Sequence, residues 1–278
     1  YLRALKHADF TVFCVQDGQK TYWDEQFRRQ VPFSSGQQVK RSILTAITDA
    51  LNVVPSPTTF VAELDKNGKL NDKEPHSSCD PTYIDQLLGG WMRASAGGTE
   101  KTLKRRSPLS ISAMRALHPL LADVPKENLS FDRSTNAEYN KVIVRGVDGN
   151  ELDDEHIAKL LDGTDRSLYR RWGPEQKRAT GIFVYDIAID LRTLFCVSLN
   201  AFEREVSDET IEKLKNEGWK ECKNVFGKCL VMPKAQRDKI IPALAEALID
   251  WRITSNQART FSLMETLAIA ISDNANTL

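Results

Sequence analysis

The chain has 278 residues, 41% apolar and 27% charged, with 38 basic and 38 acidic side chains and so no net charge. These values fit a chain able to bury a sizeable core and exclude a uniform basic coat, though not a local basic groove balanced by acid elsewhere. No window approaches eighteen consecutive apolar residues, and the opening YLRALKHADF lacks the apolar core of a signal peptide.

In chain order, DFTVFCV (9–15) is a short run of β-formers closed by the turn signal QDGQ, and it is expected to be the first strand. Residues 36–52 are expected to form the first helix. Ser35 and Gln38 have the spacing of a capping box, and Val39, Ile43, Ile47 and Leu51 recur every four residues. Lys40 and Arg41 sit near the helix start, where acidic residues are usually favoured. An anion bound at that end would account for them, and so would a solvated amphipathic face.

Residues 53–178 differ in character, being rich in Ser, Gly, Asp and Lys. FVAELDKNGKL reads as a strand running into a turn, and PTYIDQLLGGWM, SISAMRALHPLLA and DDEHIAKLLDG read as short helices. Regularity returns at 181–191, where Phe183, Tyr185, Ile187, Ile189 and Leu191 alternate with more polar positions. A strand is expected at 193–199, a helix at 207–219 capped by Ser207, a helix at 235–251 that Pro242 kinks or begins, and a last strand at 265–272. Without residues 53–178 the order is strand, helix, strand, strand, helix, strand. The expected fold is therefore α+β, with a ferredoxin-like or RNA-recognition core (1–52 and 179–278) and a partly helical insertion (53–178).

Three clusters combine cations with aromatic or polar groups. The first is Arg28, Arg29, Ser35, Gln37, Lys40 and Arg41 around the helix opening. The second is Trp91, Arg93, Lys104, Arg105 and Arg106, and the third is Arg170, Arg171 and Trp172. Rings that stack on bases beside cations that track phosphates suit a single nucleic-acid strand, whereas a partly buried Trp with a basic loop is the structural alternative. Catalytic patterns are thin. The four histidines have no metal-ligand spacing, and HSSCD puts His76, Cys79 and Asp80 in sequence proximity only. DGNELDDEH lacks the order of a calcium loop, and no phosphate-binding Gly-Lys loop is present. No metal or cofactor is expected. Five cysteines without a C-x-x-C pair fit a reducing, cytoplasmic setting.

SSGQQVKRSILTAI, IDQLLGGWM with KRRSPLSISAMRALHP, and IDWRITSNQARTFSLMETLAIAIS together resemble the repeated backbone subunit of class 1 CRISPR (Cascade-type) effector complexes, the Cas-seven/DevR family. The resemblance implies a modified RNA-recognition core, a helical insertion and a thumb-like hairpin within 53–80 or 123–150, with 56–80 favoured because FVAELDKNGKL reads as a strand running into a turn. It implies a subunit that polymerises head-to-tail along a guide crRNA, presents it to a target DNA or RNA strand, and meets other effector subunits. Ser35, Gln37, Lys40 and Arg41 would hold guide phosphates, and Asn256, Gln257 and Arg259 would approach the same backbone. No enzyme activity is expected. A relative that cleaves target RNA through a loop aspartate, with Asp80 the candidate, is one alternative. A small-molecule enzyme with its pocket in the insertion is another.

Overall fold

The computed structural model describes residues 1–12, 14–15, 18–19, 21–73, 75–93, 102–118, 122–123, 126–132, 141–164, 168, 170–253 and 264–278. The fold is α+β. Among these residues a nine-stranded sheet forms around one long strand, Arg170–Ile189. The first strand, Leu2–Val12, pairs antiparallel along one side of it, with Leu2 opposite Ile187 and Val12 opposite Lys177. The last strand, Glu265–Ile271, adds to the outer side of the first. On the other side of the long strand lie short strands, including Leu109–Ile111 and Met114–Ala116. Met114–Ala116 also pairs with Arg29–Ser34, which forms a hairpin with Thr21–Asp24.

Strand alternation gives this sheet two faces. Ala4, Lys6, Ala8, Met114, Phe183, Tyr185 and Ile187 are buried, and helices α1 (Gly36–Leu51) and α5 (Lys234–Asp250) contribute Val39, Ile43, Ile47, Leu244 and Leu248 to the same core. The opposite face, carrying Arg3, Leu5, Arg115 and Val184, stays partly open to solvent. Among the described residues there are four smaller sheets, two of them with more than two strands. In the insertion, Thr58–Leu64 pairs with Leu70–Asp72, with His76–Ser77 and, in parallel, with Lys141–Arg145. A three-stranded sheet of Cys196–Ser198, Lys220–Asn224 and Gly227–Val231 lies beyond the long strand.

Several expectations are corrected. The first strand begins at Leu2 rather than 9, because the inward position Lys6 breaks the apolar alternation that marks a strand. SISAMRALHPLLA is not helical in its described part. Leu109 and Met114 are buried against the long strand, while Ser110 and Arg115 face water, a period of two that edge pairing enforces. The strand expected at 193–199 is shortened to Cys196–Ser198, follows a turn at 191–195, and joins the separate three-stranded sheet. Helix α4 (Asp208–Asn216) starts as expected, with the Ser207 hydroxyl accepting the Thr210 amide at 3.2 Å. Helix α5 runs through Pro242. The hairpin expected within 56–80 is present, closed by Asp65, whose side chain accepts the amides of Asn67 at 2.8 Å and Lys69 at 2.9 Å. Position 178, the expected end of the insertion, falls inside the long strand.

Lys6 closes the core at the end of α5. It is fully buried, yet its ammonium donates to the Ile249 carbonyl and the Thr266 hydroxyl, both at 2.9 Å, and lies 5.0 Å from the centre of the Trp251 ring. The Trp251 indole donates to the Tyr185 hydroxyl at 2.9 Å. Burial lowers the Lys6 pKa to about 8 from 10.5, against the attraction of Asp250. The folded value lies below the unfolded one, so the cost of the buried charge is complete below pH 8 and disappears as pH rises towards 10.5. We therefore expect the wild type to gain stability relative to Lys6→Met across this interval, by on the order of 2–3 kcal/mol. Urea denaturation of both proteins at pH 7.5 and pH 10 measures the stability of the wild type minus that of the variant; a difference that stays constant or falls with pH contradicts the assignment.

Candidate nucleic-acid interface

The opening of α1 is built by the two serines before it. The Ser35 hydroxyl accepts the Gln38 amide at 3.3 Å, and the Ser35 carbonyl accepts that of Val39 at 3.1 Å. The expected reciprocal half of the capping box is replaced: the Ser34 hydroxyl donates to the Gln38 side-chain oxygen at 2.6 Å. Gly36 packs so tightly that a Cβ there would overlap the Ile111 carbonyl oxygen, which fixes the helix start against the sheet. The first turn holds no acidic residue. Gln37 and Arg41 are exposed, while Lys40 is half-buried and its pKa is lowered by that burial. Both cations fall in the second turn, where the dipole's influence is already weakened.

Arg28 and Arg29 do not join this group. They lie at the tip of the 21–34 hairpin, with Arg28 in the left-handed region (φ 50°), and the strand that follows carries the chain roughly 17 Å before α1 begins. Phe27 at the same tip stacks edge-on against His118, with centroids 4.3 Å apart. Arg115, which the sequence reading passed over inside an expected helix, is instead exposed on the open face of the sheet. It sits opposite Phe33 in register, one strand from Tyr22. Period-two spacing around Met114 and Ala116 was the signal that could have found it.

The second cluster divides by strand alternation. Trp91 is buried, and its indole donates to the Glu205 carbonyl at 2.6 Å. Arg105 is buried as well, donating to the carbonyls of Leu87, Thr193 (2.8 Å) and Cys196 (3.1 Å), with its guanidinium 5.5 Å from the Trp91 ring centre and 3.7 Å from the Glu205 carboxylate. Burial lowers the Arg105 pKa and raises that of Glu205, and their mutual attraction opposes both shifts. The expectation that Trp91 and Arg105 contact RNA is corrected: they are core residues joining the insertion to the Cys196–Ser198 region. Arg93 and Arg106 are exposed, as is Lys104, which lies 3.6 Å from Glu203.

In the third cluster, the backbones of Arg170, Arg171 and Trp172 pair with Asp132, Phe131 and Ser130 in the long strand, and their side chains lie outside the described residues. Asn256, Gln257 and Arg259 also lie outside them. Asp80 has a structural role. One of its oxygens accepts the Thr82 amide (2.9 Å) and hydroxyl (2.8 Å), and the other pairs with Lys213 at 2.7 Å. Cys79 is buried and its thiol is pushed up by that burial, away from nucleophilic use. Among the described residues no group of three or more His, Cys, Asp or Glu side chains is placed to hold a metal, and no helix is long and apolar enough to cross a membrane. A cleft of about 400 Å³ opens beside Arg3, Ser112, Asp186 and Leu278. Its polar wall is the Arg3–Asp186 ion pair at 2.6 Å, with the Ser112 hydroxyl accepting the Asp186 amide at 2.8 Å.

Chains of two solved structures are similar to this one. One, described as a CRISPR RNA-guided surveillance complex, is 10% identical, with 97% of this chain and 68% of that chain covered at a TM-score of 0.38. The other, described as a CRISPR RNA-guided surveillance complex, pre-nicking, is 10% identical, with 96% and 76% covered at a TM-score of 0.47. No protein-family model matches the chain, and no curated protein matches it.

Neighbouring arginines should behave oppositely on substitution. Arg105→Ala leaves Glu205 half-buried beside an unfilled space and takes the guanidinium donor from three carbonyls, and should destabilise by about 3–5 kcal/mol. Arg106→Ala, at an exposed position, should stay within about 0.5 kcal/mol. Thermal melts of the two single variants test this, and equal shifts would contradict the in-and-out assignment.

Proposed function

We propose that the chain is a crRNA-binding backbone subunit of a class 1 CRISPR interference complex, working in the cytoplasm without catalysing a reaction. On this reading copies polymerise head-to-tail along one guide RNA and present it to a target strand beside other effector subunits. The core is a modified RNA-recognition fold, in which the last, first and long strands run side by side with α1 and α5 behind them. The 58–72 hairpin is the thumb. The observation that carries the reading is the opening of α1: a capped, acid-free helix start, fixed on the sheet by Gly36, with Gln37 and Arg41 exposed and Lys40 half-buried. Amides and cations in that arrangement suit phosphate. The exposed Arg115 beside Phe33 on the open sheet face adds a further cation. Asp80, the candidate of the cleaving alternative, has its two oxygens engaged by Thr82 and Lys213, which supports a structural part for it.

The test is sedimentation of the purified chain with and without single-stranded RNA of increasing length. Assemblies should grow stepwise with RNA length, through heterologous contacts that need no closed two-fold symmetry. A symmetric dimer that ignores RNA would overturn the proposal.

A second measurement separates binding from folding at the helix opening. Gln37→Glu places a carboxylate in the first turn, which should stabilise the helix by about 0.3–1 kcal/mol. The same charge should repel a phosphate and weaken RNA binding for every sequence tested, since phosphate contacts carry no base information. Filter binding beside a thermal melt reads both effects. A variant that is stabilised with RNA affinity intact would remove the opening of α1 from the interface.

A further inference from the structure

Three of the chain's five cysteines meet on one small sheet. Gly227–Val231 is the central strand of the three, with Cys196–Ser198 on one side and Lys220–Asn224 on the other. Cys222 stands directly opposite Cys229, and Ser198 stands opposite Cys229 on the other side. Cys196 lies two positions before Ser198, so Cys196, Cys222 and Cys229 project from the same face. The other face, with Val197 and Leu230, packs into the core. Exposure separates the opposed pair: Cys222, on the edge strand, is exposed, and Cys229, on the central strand, is buried. The Cys196 thiol is engaged, donating to the Arg192 carbonyl at 3.4 Å and accepting from the Asn224 side-chain amide at 3.6 Å. The Cys222 thiol makes a longer contact, 3.9 Å to the Lys223 carbonyl. Burial above all pushes the Cys229 thiol up, while a hydrogen bond with the Cys196 thiol works the other way.

The spacing of the opposed pair suits a bridge. The Lys228 carbonyl accepts the Leu199 amide at 2.9 Å, so the Cys229 backbone points towards the Lys220–Asn224 strand. Cys222 and Cys229 are therefore a hydrogen-bonded pair, with Cα atoms about 5.5 Å apart. That lies within the roughly 4.4–6.8 Å that disulfides span. Side chains of such a pair start slightly farther apart than a bridge requires, so closing one draws the two strands together. Disulfides of that strained kind are the readily reduced ones.

We propose that Cys222 and Cys229 form a reversible oxidation site, at which a peroxide converts the opposed pair to a disulfide that fastens the 220–231 hairpin. Cys222 takes the first step because solvent reaches it. Its thiolate attacks one peroxide oxygen; the S–O bond forms, the O–O bond breaks, and the second oxygen leaves as hydroxide and is protonated to water. The Cys229 thiolate then attacks the Cys222 sulfur; the S–S bond forms, the S–O bond breaks, and hydroxide again leaves as water. The pair of thiols is oxidised by two electrons, and hydrogen peroxide is reduced to water. A small thiol reverses the step by exchange and is itself oxidised to its disulfide. Transient bridges of this sort are the ones a reducing compartment permits. The closed turn carries the exposed Val225 and Phe226, with the Arg192 guanidinium 4.8 Å from the Phe226 ring centre, so oxidation pins an apolar tip. The inference stands apart from the reading that the chain binds RNA.

The test treats the full chain, reduced and then freed of reductant, with hydrogen peroxide. Thiol titration of the denatured product should show the loss of one pair of thiols per chain, and peptide mapping should join Cys222 to Cys229. The melting midpoint should rise, because the bridge restricts the unfolded chain, and should return when dithiothreitol is added. Cys222→Ser, at an exposed position, should melt like the reduced wild type and show no peroxide-induced rise. Thiols that survive peroxide would overturn the inference. So would oxidation that stops at Cys222, or a bridge that instead joins Cys229 to Cys196 or links two chains. A mapped Cys222–Cys229 bridge that leaves the melt unchanged would overturn the fastening of the hairpin.

Discussion

The register of the long strand Arg170–Ile189 is the constraint on which the rest depends. Its pairing with Leu2–Val12 runs unbroken for eleven residues, and every other strand of the large sheet is placed from that pair outward. A slip of one residue would turn Phe183, Tyr185 and Ile187 into water and bring Val184 and Asp186 into the core. Because those three inward residues meet α1 and α5, the same register sets where both helices lie. The short strands Leu109–Ile111 and Met114–Ala116 have too little intrinsic preference to form alone; the free edge of the long strand makes them strands.

Buried polar groups are confined to junctions where two elements must keep one relative position. Lys6 ties the first strand to the end of α5 and the start of the last strand, and Tyr185 and Trp251 repeat the tie one step away. Arg105 does the same between the insertion and the Cys196–Ser198 sheet, reaching three carbonyls at once. A buried charge satisfied mainly by carbonyls is costly to create and costly to leave unpaired, so each acts as a specific lock rather than a large net source of stability. Both locks stand next to segments carrying candidate RNA contacts. Arg105 is flanked in sequence by the exposed Lys104 and Arg106, and Trp251 leads into the segment that holds Asn256, Gln257 and Arg259.

Zero net charge conceals the distribution on which the proposed function relies. Exposed acids are used largely in local ion pairs and helix caps, as with Asp153 at the start of α3 (Asp154–Leu161) and Asp208 with Arg204. The exposed cations at the opening of α1 and on the open sheet face belong to different elements, so no short window of sequence is basic enough to reveal them together. A groove of this kind is a property of the folded surface rather than of composition.

The sequence by itself determined the elements whose code is local. Helix α1 was legible because Ser35 caps it and its apolar residues recur with helical period, and α4 for the same reason through Ser207. The 181–189 segment was legible because its alternation is nearly perfect, and the 58–72 turn because Asp65, Asn67 and Gly68 are turn residues with a mechanism. Only the tertiary structure decided the rest. It made strands of a segment with helical spacing, because an unpaired sheet edge outweighed propensity at residues 109–116. It sent Arg105 inward and its neighbours outward, because alternation on a three-residue strand is invisible until that strand is known to exist. It separated Arg28 and Arg29 from the opening of α1 by the length of a strand, and it brought Cys196, Cys222 and Cys229 to one face of a small sheet. Proximity across a sheet is set by register, and register is fixed by the burial of the whole face rather than by any neighbouring residue.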